Sequence, residues 1–304
     1  MTFKVVGIGE VLWDLLPSGP QLGGAPANFA YHAQALGACA QVISRVGDDP
    51  NGREIRTRFA AMRLANNSLQ TDETAPTGTV TVALSGQGIP EFTIHENVAW
   101  DRIATTEDGL AAARQCDAIC FGSLAQRCEP SRRSIQRLVE TAPKTAWRIF
   151  DINLRQHFYS RETIERSLQL ANVLKLNDGE LPVLAAMFNL QGSPEQQIAV
   201  LAGLFKLRVV ALTRGAQGSL LFQAGRWSER GVRPVEVKDT VGAGDAFTAG
   251  LAIGLLRELD LDEIHLAASD IARHVCSCDG ATPTLPESLR GLFSPQANRQ
   301  PGTH

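Results

Sequence analysis

No segment of this 304-residue chain approaches the roughly 20 consecutive apolar residues that a membrane-crossing helix needs, so a membrane partner is not expected. Positive charge is equally sparse: Lys and Arg are scattered through a chain of net charge -3, no basic stripe forms, and nucleic acid is not an expected partner. The six cysteines lack paired metal-ligand spacing, with Cys116 and Cys120 four apart and Cys276 and Cys278 flanking a single Ser, so they read as free buried thiols. Glu10 and Asp14 interrupt the apolar amino end before an export segment forms, and a cytoplasmic location is the expectation. Gly7-Ile8-Gly9 invites a dinucleotide reading, but Leu12 stands where the third glycine belongs and no helix follows directly. A Gly-x-x-x-x-Gly-Lys-Ser/Thr run, a His-Arg-Asp triplet and an Asp-Phe-Gly triplet are all missing, which excludes a P-loop NTPase and a protein kinase. Linkers, repeats and low-complexity tracts are absent too, so one α/β domain is expected over residues 1–304.

What is present centres on Asp239-Thr240-Val241-Gly242-Ala243-Gly244-Asp245, which runs directly into the apolar stretch Ala246 to Leu256. Gly242, Ala243 and Gly244 carry almost no side chain, so consecutive backbone N–H groups can face one point at a helix start, where the helix dipole adds positive charge. That is an anion site. Asp245 sets a carboxylate beside it, unhelpful for holding a phosphate but suited to taking a proton from a group that attacks one. A helix cap is the bland alternative for Asp245. A cap needs neither the Gly-Ala-Gly turn nor a helix with almost no polar face, and such a helix is central and buried.

The seven residues from Asp239 to Asp245 resemble the carboxyl-proximal signature of the ribokinase-like, or PfkB, family of sugar kinases, matching every fixed position. Gly23-Gly24-Ala25-Pro26-Ala27-Asn28 and Val46-Gly47-Asp48-Asp49-Pro50-Asn51-Gly52 resemble the family's amino-proximal signature. Within the family the wording is closest to bacterial fructokinases at Gly9 to Asp14, Asn97 to Asp101 and Asp151 to Arg155. The resemblance covers nearly the whole chain and implies an α/β ribokinase-like three-layer sandwich, with a central mostly parallel sheet and a small β-sheet lid from about 11–22 and 76–101. It further implies ATP and Mg2+ as cofactors, a monovalent cation, K+, and a small-molecule sugar as substrate. A homodimer through the lid is left open.

Local pattern supports that architecture. Thr79 to Leu84 and Glu91 to His95 alternate polar and apolar residues around a turn-rich Ser85 to Pro90, as a half-buried hairpin does. From Asp117 onward, strands and helices alternate: strands 117–122, 147–151, 173–176, 209–213 and 219–223, helices 131–141, 161–170, 178–188 and 262–276. Such alternation argues a parallel sheet covered on both faces, with ligands beyond the carboxyl ends of the strands. The candidate sugar site is Asp14, Gly23, Gly24, Asn28, Phe92, Trp100 and Arg155, with Trp13 as a further lining aromatic; an ordinary turn and lid core remain open for these residues.

The resemblance places Asn177, Thr213, Gly215, Gly218, Gly242 and Gly244 at the nucleotide, and Asn177 and Glu180 around magnesium, acting through water. A plain capping pair explains Asn177 and Glu180 nearly as well. Asp239 and Gly280 are implied beside the monovalent cation, against the alternative that Asp239 only fixes its turn. Ser269-Asp270 stands where many relatives carry an Asn near the adenine. No Lys or Arg occurs between Thr71 and Asp101, whereas Asp72, Glu73, Glu91, Glu96 and Asp101 are acidic, so a sugar phosphate under the lid is disfavoured. A neutral hexose, D-fructose, is the leading expectation. A 2-keto-3-deoxygluconate kinase using Arg102 or Arg155, a ribokinase, and a catalytically silent sugar or nucleotide sensor stay open.

Overall fold

In this computed structural model residues 2–16, 19–84 and 90–293 are described, the side chains of 82–84 and 90–92 excepted. The amino half contains β1 (Lys4–Ile8), β2 (Leu12–Leu16), β3 (Gly19–Gly23), α1 (Ala25–Ala35), β4 (Cys39–Gly47), α2 (Pro50–Ala61), β5 (Leu69–Asp72), β6 (Gly78–Leu84) and β7 (Pro90–Ile94). The chain continues through α3 (Glu107–Gln115), β8 (Ala118–Phe121), α4 (Glu129–Thr141), β9 (Trp147–Asp151), α5 (Arg161–Leu170), β10 (Val173–Asn177), α6 (Glu180–Phe188) and α7 (Pro194–Phe205). It ends with β11 (Val209–Thr213), β12 (Ser219–Gln223), β13 (Arg226–Arg230), α8 (Ala243–Leu256) and α9 (Leu261–Cys276).

Nine strands form the main sheet in the order β13-β12-β11-β10-β9-β8-β1-β4-β5. Its seven strands from β11 to β5 pair in parallel, and β12 and β13 add antiparallel at one edge. Strand side chains alternate between faces. Val5, Ile149, Val173 and Ala211 therefore meet α1, α8 and α9 on one side, while Val6, Phe150, Leu174 and Val210 meet the core built with α4, α5, α6 and α7 on the other. These two apolar layers are why the parallel strands read as continuous hydrophobic runs. No helix among the described residues is long and apolar enough to cross a membrane.

The second sheet has the order β3-β2-β6-β7. β2 pairs antiparallel with β3 and parallel with β6, so this sheet is mixed. Its strands end at Ile94, and Ala99–Arg102, expected within the lid, is a buried 3-10 turn packed into the main body. Of the turn expected from Ser85 to Pro90, residues 85–89 lie outside the described residues and Pro90 opens β7. All six cysteines are free; Cys39 is exposed, contrary to the expectation of burial, and Cys116 and Cys120 are buried.

Candidate active site

Helix α8 starts at Ala243, with Gly242 as its N-cap at φ 77°. That left-handed conformation favours glycine, and a Cβ on Gly242 would lie 2.6 Å from the carbonyl oxygen of Ala281. The turn is braced from before: Asp239 Oδ1 accepts from the Val241 amide at 2.9 Å and Asp239 Oδ2 from the Gly280 amide at 3.2 Å. Ala243 N donates to Thr240 O at 3.3 Å, whereas the other first-turn amides have no partner one turn back, so Gly242, Gly244 and Asp245 present N–H groups to an anion.

Asp245 lies in the first turn of α8, and Asn28 lies in the first turns of α1, which packs on α8. The Asn28 amide donates to Asp245 Oδ2 at 2.8 Å, tying the two helix starts together. Burial pushes the Asp245 carboxyl up to about 6, with Asp151 adding to the rise and the Asn28 hydrogen bond, Lys175 and Arg155 opposing it. A carboxylate poised there is ionised at neutral pH yet basic enough to take a proton.

On the sugar side, Asp14 rests on the backbone of Gly23, where a Cβ would come within 2.2 Å of its Oδ2. Burial raises Asp14 to about 6 and Arg155 opposes the rise. Arg155 is exposed, donates to the Leu154 carbonyl at 3.1 Å, and acts electrostatically on Asp14, Glu10 and Asp245. Gly24, with its backbone against that of Glu10, precedes α1. Two aromatic assignments are corrected. Trp100 is fully enclosed beneath the Arg127 guanidinium, 4.0 Å from its ring, and Trp13 is buried with its Nε1 donating to Asn51 O at 3.2 Å, so both are core and neither offers a face to a sugar. The Phe92 side chain lies outside the described residues. Arg102 is committed elsewhere, donating to Thr74 Oγ1 at 2.7 Å with Asp72 at 3.8 Å.

On the opposite side, Asn177 and Thr213 are register partners at the ends of β10 and β11. Asn177 Oδ1 accepts from the amides of Gly179 and Glu180, both at 2.9 Å, while Glu180 accepts from the Asn177 amide at 2.8 Å and the Leu154 amide at 2.9 Å. The capping pair is therefore real. It leaves each carboxylate oxygen of Glu180 one acceptor position, which fits a hydrated cation held through water. Gly215 and Gly218 bracket a 3-10 turn whose ends are tied by Arg214 N donating to Gly218 O at 2.7 Å. Asp270 is paired with Arg273 at 3.5 Å and Arg233 at 3.8 Å.

The pfkB family of carbohydrate kinases matches residues 20–288. The chain belongs to that family. It is an enzyme, a sugar kinase with a ribokinase-like fold. A fructokinase of Klebsiella pneumoniae is 33% identical over 284 residues, covering 90% of this chain and 91% of that protein. The crystal structure of a Vibrio cholerae fructokinase in its fructose-, ADP- and calcium-bound form superposes with TM-score 0.77 at 25% identity, covering 96% of this chain and 99% of the other. An ATP-bound Xylella fastidiosa fructokinase shares the fold, with TM-score 0.84 at 21% identity over 97% and 99% of the two chains.

The kinase also holds four polar residues that motif reading left without a role: Glu10, Asp151, Lys175 and Thr248. Each carried a signal as a polar residue in an apolar context, Lys175 inside Val-Leu-Lys-Leu-Asn and Thr248 on an otherwise apolar helix. Glu10, 2% exposed, is pushed up to about 7 chiefly by burial, and its Oε2 meets no hydrogen-bond partner among the described residues.

Proposed function

We propose that this kinase transfers the γ-phosphoryl group of ATP to the primary 6-hydroxyl of D-fructose. The observation that carries the reading is Asp245, held by Asn28 between the Gly242–Gly244 turn and the cluster of Asp14, Gly23 and Gly24. Asp245 takes the hydroxyl proton as that oxygen attacks the γ-phosphorus, the bond to the β-phosphate oxygen breaks, and ADP leaves carrying the electron pair. The amides of Gly242, Gly244 and Asp245 stabilise negative charge on the transferring group. Magnesium, when bound, would neutralise phosphate charge, and Glu180, with one free acceptor position on each carboxylate oxygen, would hold its water shell. Asn177, both of whose acceptor positions are taken by the Gly179 and Glu180 amides, fixes the Glu180 backbone.

A neutral sugar is supported by the charge pattern around the lid. Residues 71–101 contain no Lys or Arg, and Arg102, the next cation, is taken up by Asp72 and Thr74. A phosphate on the sugar would meet Asp14 and Glu10 with only Arg155 to offset it. The fructokinase relatives point the same way. Arg155 alone favours a second reading, a sugar acid such as 2-keto-3-deoxygluconate. In a panel with ATP and magnesium, kcat/KM for fructose is expected to exceed that for ribose, 2-keto-3-deoxygluconate and fructose 6-phosphate; a higher value for the sugar acid overturns the assignment and makes Arg155 its carboxylate partner.

Asp239 and Gly280 meet beside the turn, where a potassium ion would set the geometry of the amides. Replacing sodium by potassium is then expected to raise the rate, and Asp239→Ala to abolish that response. Equal rates in both salts, together with a normally active Asp239→Ala variant, would reduce Asp239 to the anchor of its turn.

A further inference from the structure

We propose that Lys175 is a positioning residue for phosphoryl transfer: with Asp151 and Thr248 it forms a buried charged strut that fixes the first turn of α8 and places an ammonium beneath the Gly242–Gly244 anion site. The inference rests on the reading of Asp245 as base and of that turn as the phosphoryl site.

The strut follows from register. Lys175 and Asp151 are Cα partners on the adjacent parallel strands β10 and β9, so their side chains leave the sheet on one face, the face that α8 covers. Lys175 Nζ donates to Asp151 Oδ1 at 3.0 Å. Thr248 Oγ1 lies 2.8 Å from Asp151 Oδ2 and 2.9 Å from Gly244 O, so its single proton is shared between the ion pair and the carbonyl of the anion-site glycine. The contact with the turn is direct as well: a Cβ on Gly244 would sit 2.9 Å from Lys175 Nζ. An alanine there would require the ammonium to shift.

Stability does not account for this arrangement. Lys175 and Asp151 are 6% and 5% exposed and Thr248 is fully buried. Removing two charges from water costs several kcal/mol per ion, and well-packed apolar residues often serve a core as well or better. The charge is therefore better explained by what lies above it. Lys175 Nζ is paired at 3.0 Å with the Asp151 carboxylate beside the first turn of α8. Asp245 is faced by Asp151, Lys175 and Arg155, by the Asn28 amide from α1, by Glu10 from the end of β1 and by the Cys120 thiol from β8. Among these, Asp151 and Lys175 act on it with opposite sign, so the strut balances the charge felt by the base while its ammonium faces the phosphoryl site.

The test is the pH dependence of kcat/KM in Lys175→Met, Asp151→Asn and the double variant. Lys175→Met is expected to lower kcat at least about tenfold with the KM values for ATP and sugar changed less than about threefold, the pattern of an interaction made in the transition state. It should move the acid limb to higher pH, Asp151→Asn should move it to lower pH, and the double variant should return it towards the parent position. A merely structural role predicts loss of activity without opposite movements of the limb. Limbs that stay in place, or move in the same direction in both single variants, overturn the proposal. If Lys175→Met does not fold, the double variant, which buries no lone charge, decides at pH 8: a kcat within about threefold of the parent removes the ammonium from the mechanism. An inactive Asp245→Asn beside unmoved limbs would sink the strut and leave the base intact; an active Asp245→Asn would sink the base itself.

Discussion

Asp245→Asn is expected to lower kcat at least about hundred-fold, equivalent to roughly 2.7 kcal/mol of transition-state stabilisation, while the KM for ATP changes less than about threefold. The amide keeps the size of the carboxylate and leaves an oxygen to accept from Asn28 at the position of Oδ2, so the link between the starts of α1 and α8 is retained and only proton acceptance is lost. The parent enzyme should itself lose activity in acid. Burial lifts the Asp245 carboxyl to about 6, and the ionised form is the working one, so kcat/KM rises with pH through that region and levels off above it. Because Glu10 and Asp14 titrate in the same enclosure, the measured limb belongs to the group of carboxylates. In Asp245→Asn the residual rate should lose most of this dependence. Near-parent turnover by that variant would remove Asp245 from the chemistry.

The pattern of residues showed most of the parallel sheet and the anion turn because both follow from local rules. Strands 147–151, 209–213 and 219–223 and helix 161–170 form over the expected residues, since each is an apolar run or an amphipathic stretch bounded by turn or capping residues. β3 is anticipated only through the resemblance, which puts about 11–22 in the lid: Gly-Pro-Gln-Leu-Gly reads locally as loop, and pairing with β2 makes it a strand. β5 and β13 are short edge pieces that exist through their neighbours in the same way. Helices α3 and α7 did carry a legible signal, a Thr106 cap and a Ser193–Gln196 capping box; α3 is too weakly apolar to stand out by period, and α7 carries the apolar run Ile198 to Phe205 without one clear face.

The site was legible where function needs small or charged residues in fixed order and illegible where it depends on depth. Trp100 sits at the lid boundary in sequence, and no periodicity tells whether an indole there faces a ligand or the core; its enclosure under Arg127 decides for the core. The Lys175–Asp151–Thr248 set joins residues up to 97 positions apart, through strand register and helix packing. Asn177 and Glu180 show the opposite case: the capping reading is what the hydrogen bonds show, and it does not exclude the family reading for Glu180, because a capped carboxylate still has lone pairs for a hydrated cation.

Gly242→Ala is expected to damage both stability and turnover, costing about 2–5 kcal/mol of stability and at least about hundred-fold in kcat. Two independent effects add. At φ 77° an alanine pays roughly 1–2 kcal/mol for the left-handed conformation, and its Cβ would press within 2.7 Å of the backbone and side chain of Ala281, an overpacking that costs about 1–3 kcal/mol. Relief requires the turn or the 277–281 loop to shift, and the same shift moves the amides away from the transferring phosphoryl. Gly225→Ala separates the two effects. Gly225 also has positive φ, 85°, but nothing lies within 4 Å of its Cβ position, and it occupies the turn between β12 and β13. That variant should lose about 1 kcal/mol and keep parent turnover. Thermal melting and steady-state rates on both proteins check the comparison. A Gly242→Ala enzyme that melts as the Gly225→Ala enzyme does and turns over at the parent rate would show that the Gly242 turn does not hold the reacting phosphoryl group.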